Sequence, residues 1–205
     1  MKLPKKTVKR LSQYRRLLLK YQYLEEPHIF SHDLARLLNL NPVQVRRDLM
    51  LIGSSGNHRK GYNVNEVVRM IGKNLDFEEG KNLIIIGMGK LGQAIFDYLA
   101  DADMFQQICA IFDIDPAKVN KSHAGIPCFD IRDLHKIIKK YNVRVAVLTV
   151  PADYANSISE ILVDAGIRGI LNFTSVRLNL PENIHIKEFD IITALEEVSY
   201  FVKDE

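Results

Sequence analysis

Between Lys5 and Leu24 the apolar positions Val8, Leu11, Leu18 and Tyr21 recur at steps of three and seven residues. That spacing lines them along one stripe of a helix and leaves Lys9, Arg10, Arg15 and Arg16 largely off it. After Glu25-Glu26-Pro27, Ser31 stands where an N-cap is expected, ahead of a second helix through Leu34, Leu37 and Leu38. Asn39-Leu40-Asn41 reads as a tight turn. Asn41 is placed to cap a third helix, with Pro42 at the first helical position, where its missing N–H costs nothing, and Val43 to Leu51 following. At about 100° per residue, Val45, Leu49 and Ile52 fall on one inward face of that helix, and Gln44, Arg46 and Arg47 fall outside it. The run Gly53-Ser54-Ser55-Gly56-Asn57-His58-Arg59-Lys60-Gly61-Tyr62 predicts a hairpin with a cationic tip. Asn63 to Leu75 predicts a fourth helix, apolar along Val64, Val67, Val68 and Ile71.

The pattern then changes period. Asp76-Phe77-Glu78-Glu79-Gly80 reads as a linker, and Leu83-Ile84-Ile85-Ile86 is a continuous aliphatic run, β-branched from Ile84 on, of the kind buried on both faces of a parallel sheet. Strands and helices alternate from there. A helix with Ala94, Ile95, Tyr98 and Leu99 on its apolar side precedes a strand from Ile108 to Phe112. A short strand at Ile126 to Phe129, a helix at Arg132 to Tyr141 and a strand at Val143 to Val150 follow. The series closes with a helix through Ile158, Ile161 and Leu162, a strand at Gly169 to Phe173 and a last strand at Ile184 to Phe189. The fold class is α/β: an N-terminal helix-turn-helix with a wing over residues 1–76, then a Rossmann-like doubly wound parallel sheet over 77–190 and a C-terminal helix over 191–205.

Charge divides the chain at the same place. Residues 1–75 hold 15 Lys+Arg against 5 Asp+Glu, and residues 76–205 hold 13 against 20, so a basic module is joined to an acidic one. A cationic module of this kind suits a polyanion. No apolar run approaches the roughly 20 residues of a membrane span. Met1 to Arg10 has the charge of a signal sequence but no apolar segment behind it, and a cytoplasmic location is expected. Cys109 and Cys128, each beside apolar residues, read as core thiols. Two cysteines supply neither a disulfide framework nor a four-cysteine zinc site, and no metal is expected.

Two motifs carry chemistry. Gln44, Arg46 and Arg47 near the start of the third helix can face purine edges in the major groove, while Arg10, Arg59 and Lys60 supply cations for phosphates or the minor groove. An ordinary three-helix bundle with a flexible loop is the alternative reading of this module taken alone. In Gly87-Met88-Gly89-Lys90-Leu91-Gly92, the first glycine permits the tight turn, the second lets backbone N–H groups approach a pyrophosphate, and the third allows close helix packing. Asp113, about 20 residues further on, is placed to accept adenosine ribose hydroxyls and to repel the 2′-phosphate of NADP, which favours NAD(H). Ligands of such sheets lie at the carboxyl ends of the strands. That nominates Thr149-Val150-Pro151 and Asn172-Phe173 beside the glycine loop.

No catalytic role is expected. None of the eight tyrosines has a lysine four residues later, as a short-chain dehydrogenase requires, and the six histidines fall in no recognisable pairing with a carboxylate.

The recognition helix Gln44-Val45-Arg46-Arg47-Asp48-Leu49, the wing ending Gly61-Tyr62, the glycine loop, Phe112-Asp113-Ile114-Asp115-Pro116, Leu148-Thr149-Val150-Pro151, Gly169-Ile170-Leu171-Asn172-Phe173 and Phe189-Asp190 occur in that order. As a set, over essentially the whole chain, they resemble the Rex redox-sensing transcriptional repressors. The resemblance implies a homodimer on double-stranded palindromic operator DNA, released when NADH binds, with NAD⁺ a weak competitor for the same site. It implies a C-terminal helix, striped by Ile191, Leu195, Val198 and Val202, that is swapped between subunits. It further implies that Arg16, Tyr98 and Asp190 couple the modules. Asn57-His58-Arg59-Lys60 in the wing and Thr174-Ser175 after Phe173 depart from the family pattern of Arg-Gly and Ala-Pro. The alternatives are an NAD-dependent oxidoreductase with a fused DNA-binding module, and a repressor that reads another nucleotide such as coenzyme A.

Overall fold

In the computed structural model, which describes residues 3–25, 27–75, 82–101 and 107–202, the sequence folds as two units, Met1–Phe77 and Glu78–Glu205. The linker expected at residues 76–80 lies outside the described residues.

The first unit opens with α1 (Lys5–Leu19), which buries Thr7, Leu11, Tyr14 and Leu18. This stripe differs from the expected one at its start and end and in adding Tyr14. Val8 stays 39% exposed, and Thr7 takes the inner position because its hydroxyl joins a buried polar cluster. After β1 (His28–Ile29) comes α2 (Ser31–Leu37), whose N-cap is Phe30 and not Ser31. Ser31 is already helical and buried, and its hydroxyl accepts from Arg46. The turn expected at residues 39–41 is present, with Asn39 in the left-handed region at φ 52°. Asn41 caps α3 (Pro42–Leu51) by accepting the Val43 N–H at 2.8 Å. Val45, Leu49 and Ile52 are buried as their spacing requires. A hairpin then leads to β2 (Tyr62–Asn63), antiparallel to β1, and α4 (Val64–Leu75) buries Val64, Val67, Val68 and Ile71 on the same core.

The second unit is a seven-stranded sheet. Its elements are β3 (Asn82–Ile86), α5 (Lys90–Asp101), β4 (Gln107–Asp113), β5 (Ser122–His123), β6 (Ile126–Asp130), a single 3₁₀ turn, α6 (Leu134–Lys140), β7 (Val145–Leu148), α7 (Ala152–Asp164), β8 (Gly169–Asn172), β9 (His185–Glu188) and α8 (Ile191–Phe201). The spatial order is β5-β6-β4-β3-β7-β8-β9, with all neighbours parallel except the β5–β6 hairpin. Without that antiparallel edge it is the doubly wound dinucleotide-binding order, in which the direction of winding reverses between β3 and β7. Side chains alternate across the sheet as strand geometry demands. Ile84, Ile86, Phe112 and Leu148 meet the helices α6 and α7, while Leu83, Ile85, Ile111 and Val147 meet Phe96 of α5.

One element, α5, departs from expectation. In α5 the sheet side is Gly92 and Phe96, with Ile95 and Leu99 half-buried, whereas Ala94 and Tyr98 face solvent. Close packing of Gly92 against the glycine turn sets the rotation of this helix, and the apolar count alone could not. In α8 every residue is exposed, and Ile191, Leu195, Val198 and Val202 keep between 62% and 65% of their surface.

Candidate nucleotide site and nucleic-acid interface

The carboxyl ends of β3 and β7 meet where the winding reverses. The Thr149 hydroxyl donates to the Gly87 carbonyl at 2.6 Å, and the Gly87 N–H donates to Phe112 at 2.8 Å, so three strand ends fasten this turn. The three glycines answer to different constraints. Gly87 has φ 91°, and a Cβ there would lie 2.9 Å from the Thr149 carbonyl oxygen. A Cβ at Gly92 would lie 2.0 Å from the Gly87 carbonyl oxygen. Both are demanded by the protein's own packing. Around Gly89, by contrast, no atom beyond its immediate chain neighbours lies within 4 Å of the Cβ position. The space kept clear there, at the start of α5, fits a group from outside the chain, and a pyrophosphate at a helix N-terminus has the matching charge and size. Lys90 and Leu91 are exposed in the first turn of α5, and Met88 is buried.

Asp113 closes β4 and is 8% exposed. Its Oδ2 accepts the Met88 N–H at 2.8 Å and the Lys118 ammonium at 3.0 Å, and its Oδ1 accepts the Asp115 N–H at 2.9 Å. Burial pushes this carboxyl up. The backbone donors of Asp115 and Met88 and the Lys118 charge outweigh that effect and hold it below its ordinary 3.8. Lys118 was not among the expected site residues, and a lysine five positions after the aspartate, across a Pro-containing turn, was the available signal.

Thr149 and Asn172 are inward-facing. Asn172 is fully buried, its Nδ2 donating to the Val176 carbonyl at 2.7 Å and its Oδ1 accepting the Thr174 N–H and hydroxyl. The Thr174 hydroxyl, a departure from the family pattern, thus joins a loop that Asn172 ties together. Phe173 stacks on Phe189 at 4.8 Å, and Val150 is half-buried with Pro151 exposed.

In the first unit, Arg46, Arg47, Arg59 and Lys60 are exposed, the last two at the tip of a turn in which the Asn57 side chain accepts their N–H groups at 2.7 and 3.2 Å. Gln44 and Arg10 are placed differently. Asp48, 0% exposed, accepts from Arg10 Nε and, at 2.8 Å, from Nη2; from the Tyr14 hydroxyl at 2.9 Å; and from Gln44 Nε2 at 3.1 Å. Arg10, expected as a free cation, therefore spends two of its nitrogens pinning α1 to α3. Burial pushes the Asp48 carboxyl up, and the hydrogen bonds from Arg10, Tyr14 and Gln44 more than offset this to leave it below 3.8. The legible signal was an acidic residue next to Leu49 on the inward face, which calls for a buried cation.

Of the remaining expected residues, Arg16 and Tyr98 are exposed, and Asp190 caps α8 by accepting the Ile192 and Thr193 N–H groups at 3.1 and 3.0 Å. Burial pushes the Cys109 thiol to about 11 and raises that of Cys128 as well, so both are protonated at neutral pH. No helix among the described residues is long and apolar enough to cross a membrane.

The chain matches two family models: "CoA binding domain" over residues 78–176 and "Putative DNA-binding protein N-terminus" over residues 2–49. It is 38% identical to the redox-sensing transcriptional repressor Rex of Bacillus velezensis over 98% of this chain and 93% of that one. It is 34% identical to the protein of the same name from Listeria welshimeri, over 99% and 94%. Among solved structures it is similar to RSP, a Rex-family repressor, in complex with β-NAD⁺ and operator DNA (TM-score 0.87, 28% identity, 100% of this chain and 94% of that one). The RSP complex with β-NADH gives a TM-score of 0.82 at 28% identity, covering 100% and 96%.

Proposed function

The chain belongs to the Rex family of redox-sensing transcriptional repressors, and from that premise we propose which of its residues read operator DNA and which read NADH. It is a regulator and not an enzyme. The observation that carries the nucleotide assignment is the clear space at Gly89, which no packing contact of the chain explains.

The loop Gly87-Met88-Gly89-Lys90-Leu91-Gly92 and the start of α5 hold the pyrophosphate, with backbone N–H groups as donors. Asp113 receives the adenosine ribose. Val150, Pro151 and Phe173 border the nicotinamide, and Thr149 and Asn172 act behind them by fixing the two loops. NADH, when bound, supplies the redox signal, because its nicotinamide is neutral whereas that of NAD⁺ is charged. An apolar wall imposes a desolvation cost on the charged ring and so favours the reduced form. Half-buried Cys109 and buried Cys128, both held protonated, make poor redox sensors by themselves, which leaves this role to the nucleotide.

On the DNA side, Arg46 and Arg47 reach base edges and phosphates from α3, and Arg59 and Lys60 reach the minor groove or backbone from the wing. Gln44 presents what its bond to Asp48 leaves free, and Arg10 acts by holding α3 in place. The repressor is a homodimer on a palindromic operator, acting in the cytoplasm, with α8 covered by the second copy, and its recognition helices match major grooves about 34 Å apart. Arg16, Tyr98 and Asp190 transmit nucleotide occupancy. A hundredfold preference of NADH for the DNA-incompetent state is worth about 2.7 kcal/mol, enough for a switch.

The match to the CoA-binding family model favours a second reading with coenzyme A as effector. Its adenosine carries a 3′-phosphate that would face the Asp113 carboxylate. Titrating an operator complex with NADH, NAD⁺ and coenzyme A at fixed salt separates the readings. Release is expected at the lowest concentration with NADH. Operator binding indifferent to saturating NADH would overturn the proposal.

A further inference from the structure

Resting on the nucleotide reading above, we propose that Lys118 determines how far the site tolerates a phosphate on the adenosine ribose, and hence how strictly it separates NADH from NADPH. An ionised carboxylate offers about four acceptor positions. Asp113 has already committed three of them: two on Oδ2, to the Met88 N–H and the Lys118 ammonium, and one on Oδ1, to the Asp115 N–H. One position remains for a ribose hydroxyl. A grip on both hydroxyls requires the place that Lys118 now holds, so the lysine is part of the ribose site and not a bystander.

The backbone places it there. The Lys118 and Val119 N–H groups both donate to the Asp115 carbonyl, at 2.9 and 3.0 Å, and the Asp115 carboxylate takes the Ala117 N–H at 2.9 Å. That turn folds the lysine back over the end of β4, where its ammonium lies 3.0 Å from Asp113 and 3.7 Å from Asp115. Of its three donors one is given to Asp113, Asp115 stands beyond hydrogen-bond distance as an ion-pair partner, and the side chain remains 37% exposed, so donor capacity is left to face an incoming anion. Two consequences follow. With Asp113 charged, Lys118 cancels part of the repulsion felt by a 2′-phosphate. With the Asp113 charge removed, Lys118 becomes that phosphate's cation.

Fluorescence titration of the full chain with NADH and with NADPH tests this. Lys118→Ala is expected to weaken NADPH relative to NADH by about tenfold, the effect of a unit charge a few ångströms from a dianion under partial screening. Lys118→Arg should restore the parent ratio, and high salt should shrink the difference. Asp113→Asn should raise NADPH affinity, and that gain should vanish in the Asp113→Asn/Lys118→Ala pair. Equal weakening of both nucleotides by Lys118→Ala, an unchanged ratio, or a gain in Asp113→Asn that survives without the lysine would each overturn the inference. The Lys118 variants decide the matter alone if Asp113→Asn does not fold. A parent chain that binds neither nucleotide removes the nucleotide reading and this inference together, whereas normal NADH binding with a ratio indifferent to residue 118 removes only the inference.

Discussion

Replacing Gly89 with alanine separates what the glycine loop does for the fold from what it does for the ligand. The added methyl would meet no atom beyond its immediate chain neighbours within 4 Å, and Gly89 does not occupy the left-handed region that excludes side chains. The folded state should therefore accept alanine. Restricting the unfolded chain at such a compatible site stabilises by about 0.4–1 kcal/mol, so the melting temperature should hold or rise slightly. The methyl instead takes the space assigned to the pyrophosphate. Loss of one or two charge-assisted bonds to backbone N–H groups costs about 1.5–3 kcal/mol, which is about ten- to a hundredfold in affinity. The control is Gly92→Ala, whose methyl would lie 2.0 Å from the Gly87 carbonyl oxygen and must displace backbone. Overpacking of that kind costs about 1–3 kcal/mol. Thermal unfolding and NADH fluorescence titration on the same samples read both effects. The expected pattern is a stable Gly89→Ala that stays on operator DNA when NADH is added, beside a destabilised Gly92→Ala. A Gly89→Ala protein that binds NADH like the parent, or that melts well below it, would refute the reasoning.

Asp48→Ala leaves the Tyr14 hydroxyl and most of the Arg10 guanidinium buried without their acceptor. Urea unfolding should show a loss of about 3–5 kcal/mol, as when one partner of a buried ion pair is removed, and a loss under about 1 kcal/mol would class the cluster with surface pairs. Both Asp48 and Asp113 sit below their ordinary 3.8, so the stability they contribute is present above that value and drains away as pH falls through their folded-state values. Melting temperature should therefore drop steeply in that acid range and less steeply for Asp48→Asn, and parallel acid profiles for the two proteins would contradict the assignment. Arg59→Ala and Lys60→Ala should weaken operator and random DNA alike and lower the salt dependence by about one unit for each phosphate no longer neutralised, whereas Arg47→Ala should alter base preference. A wing variant that discriminated between sequences would reverse those roles. Leu195→Glu with Val198→Glu places two charges on the exposed apolar stripe of α8, and sedimentation should find a dimeric parent and a monomeric variant. A dimer that survives both charges would show that α8 is not covered by the second copy.

Most of the architecture was legible along the chain because its causes are local. The Asn41-Pro42 start of the recognition helix, the inward face Val45-Leu49-Ile52, the β-branched run before Gly87 and the alternation of strands with helices each depend on residues within a turn or two of one another. Backbone conformation and periodic burial are settled at that range, which is why the order of residues alone discloses them. The partners of charged groups were not legible, since the energy of burying an ion depends on what the fold brings beside it. Arg10 and Asp48 are 38 residues apart and meet because α1 and α3 share a core, which turns an expected phosphate ligand into a brace. The Gly89 motif announced a phosphate loop, but only packing shows that Gly87 and Gly92 answer to the protein and Gly89 does not. The facing of α5 and the bare stripe of α8 belong to the same class: a periodic pattern marks which residues would share a face, and tertiary contacts decide whether anything covers it.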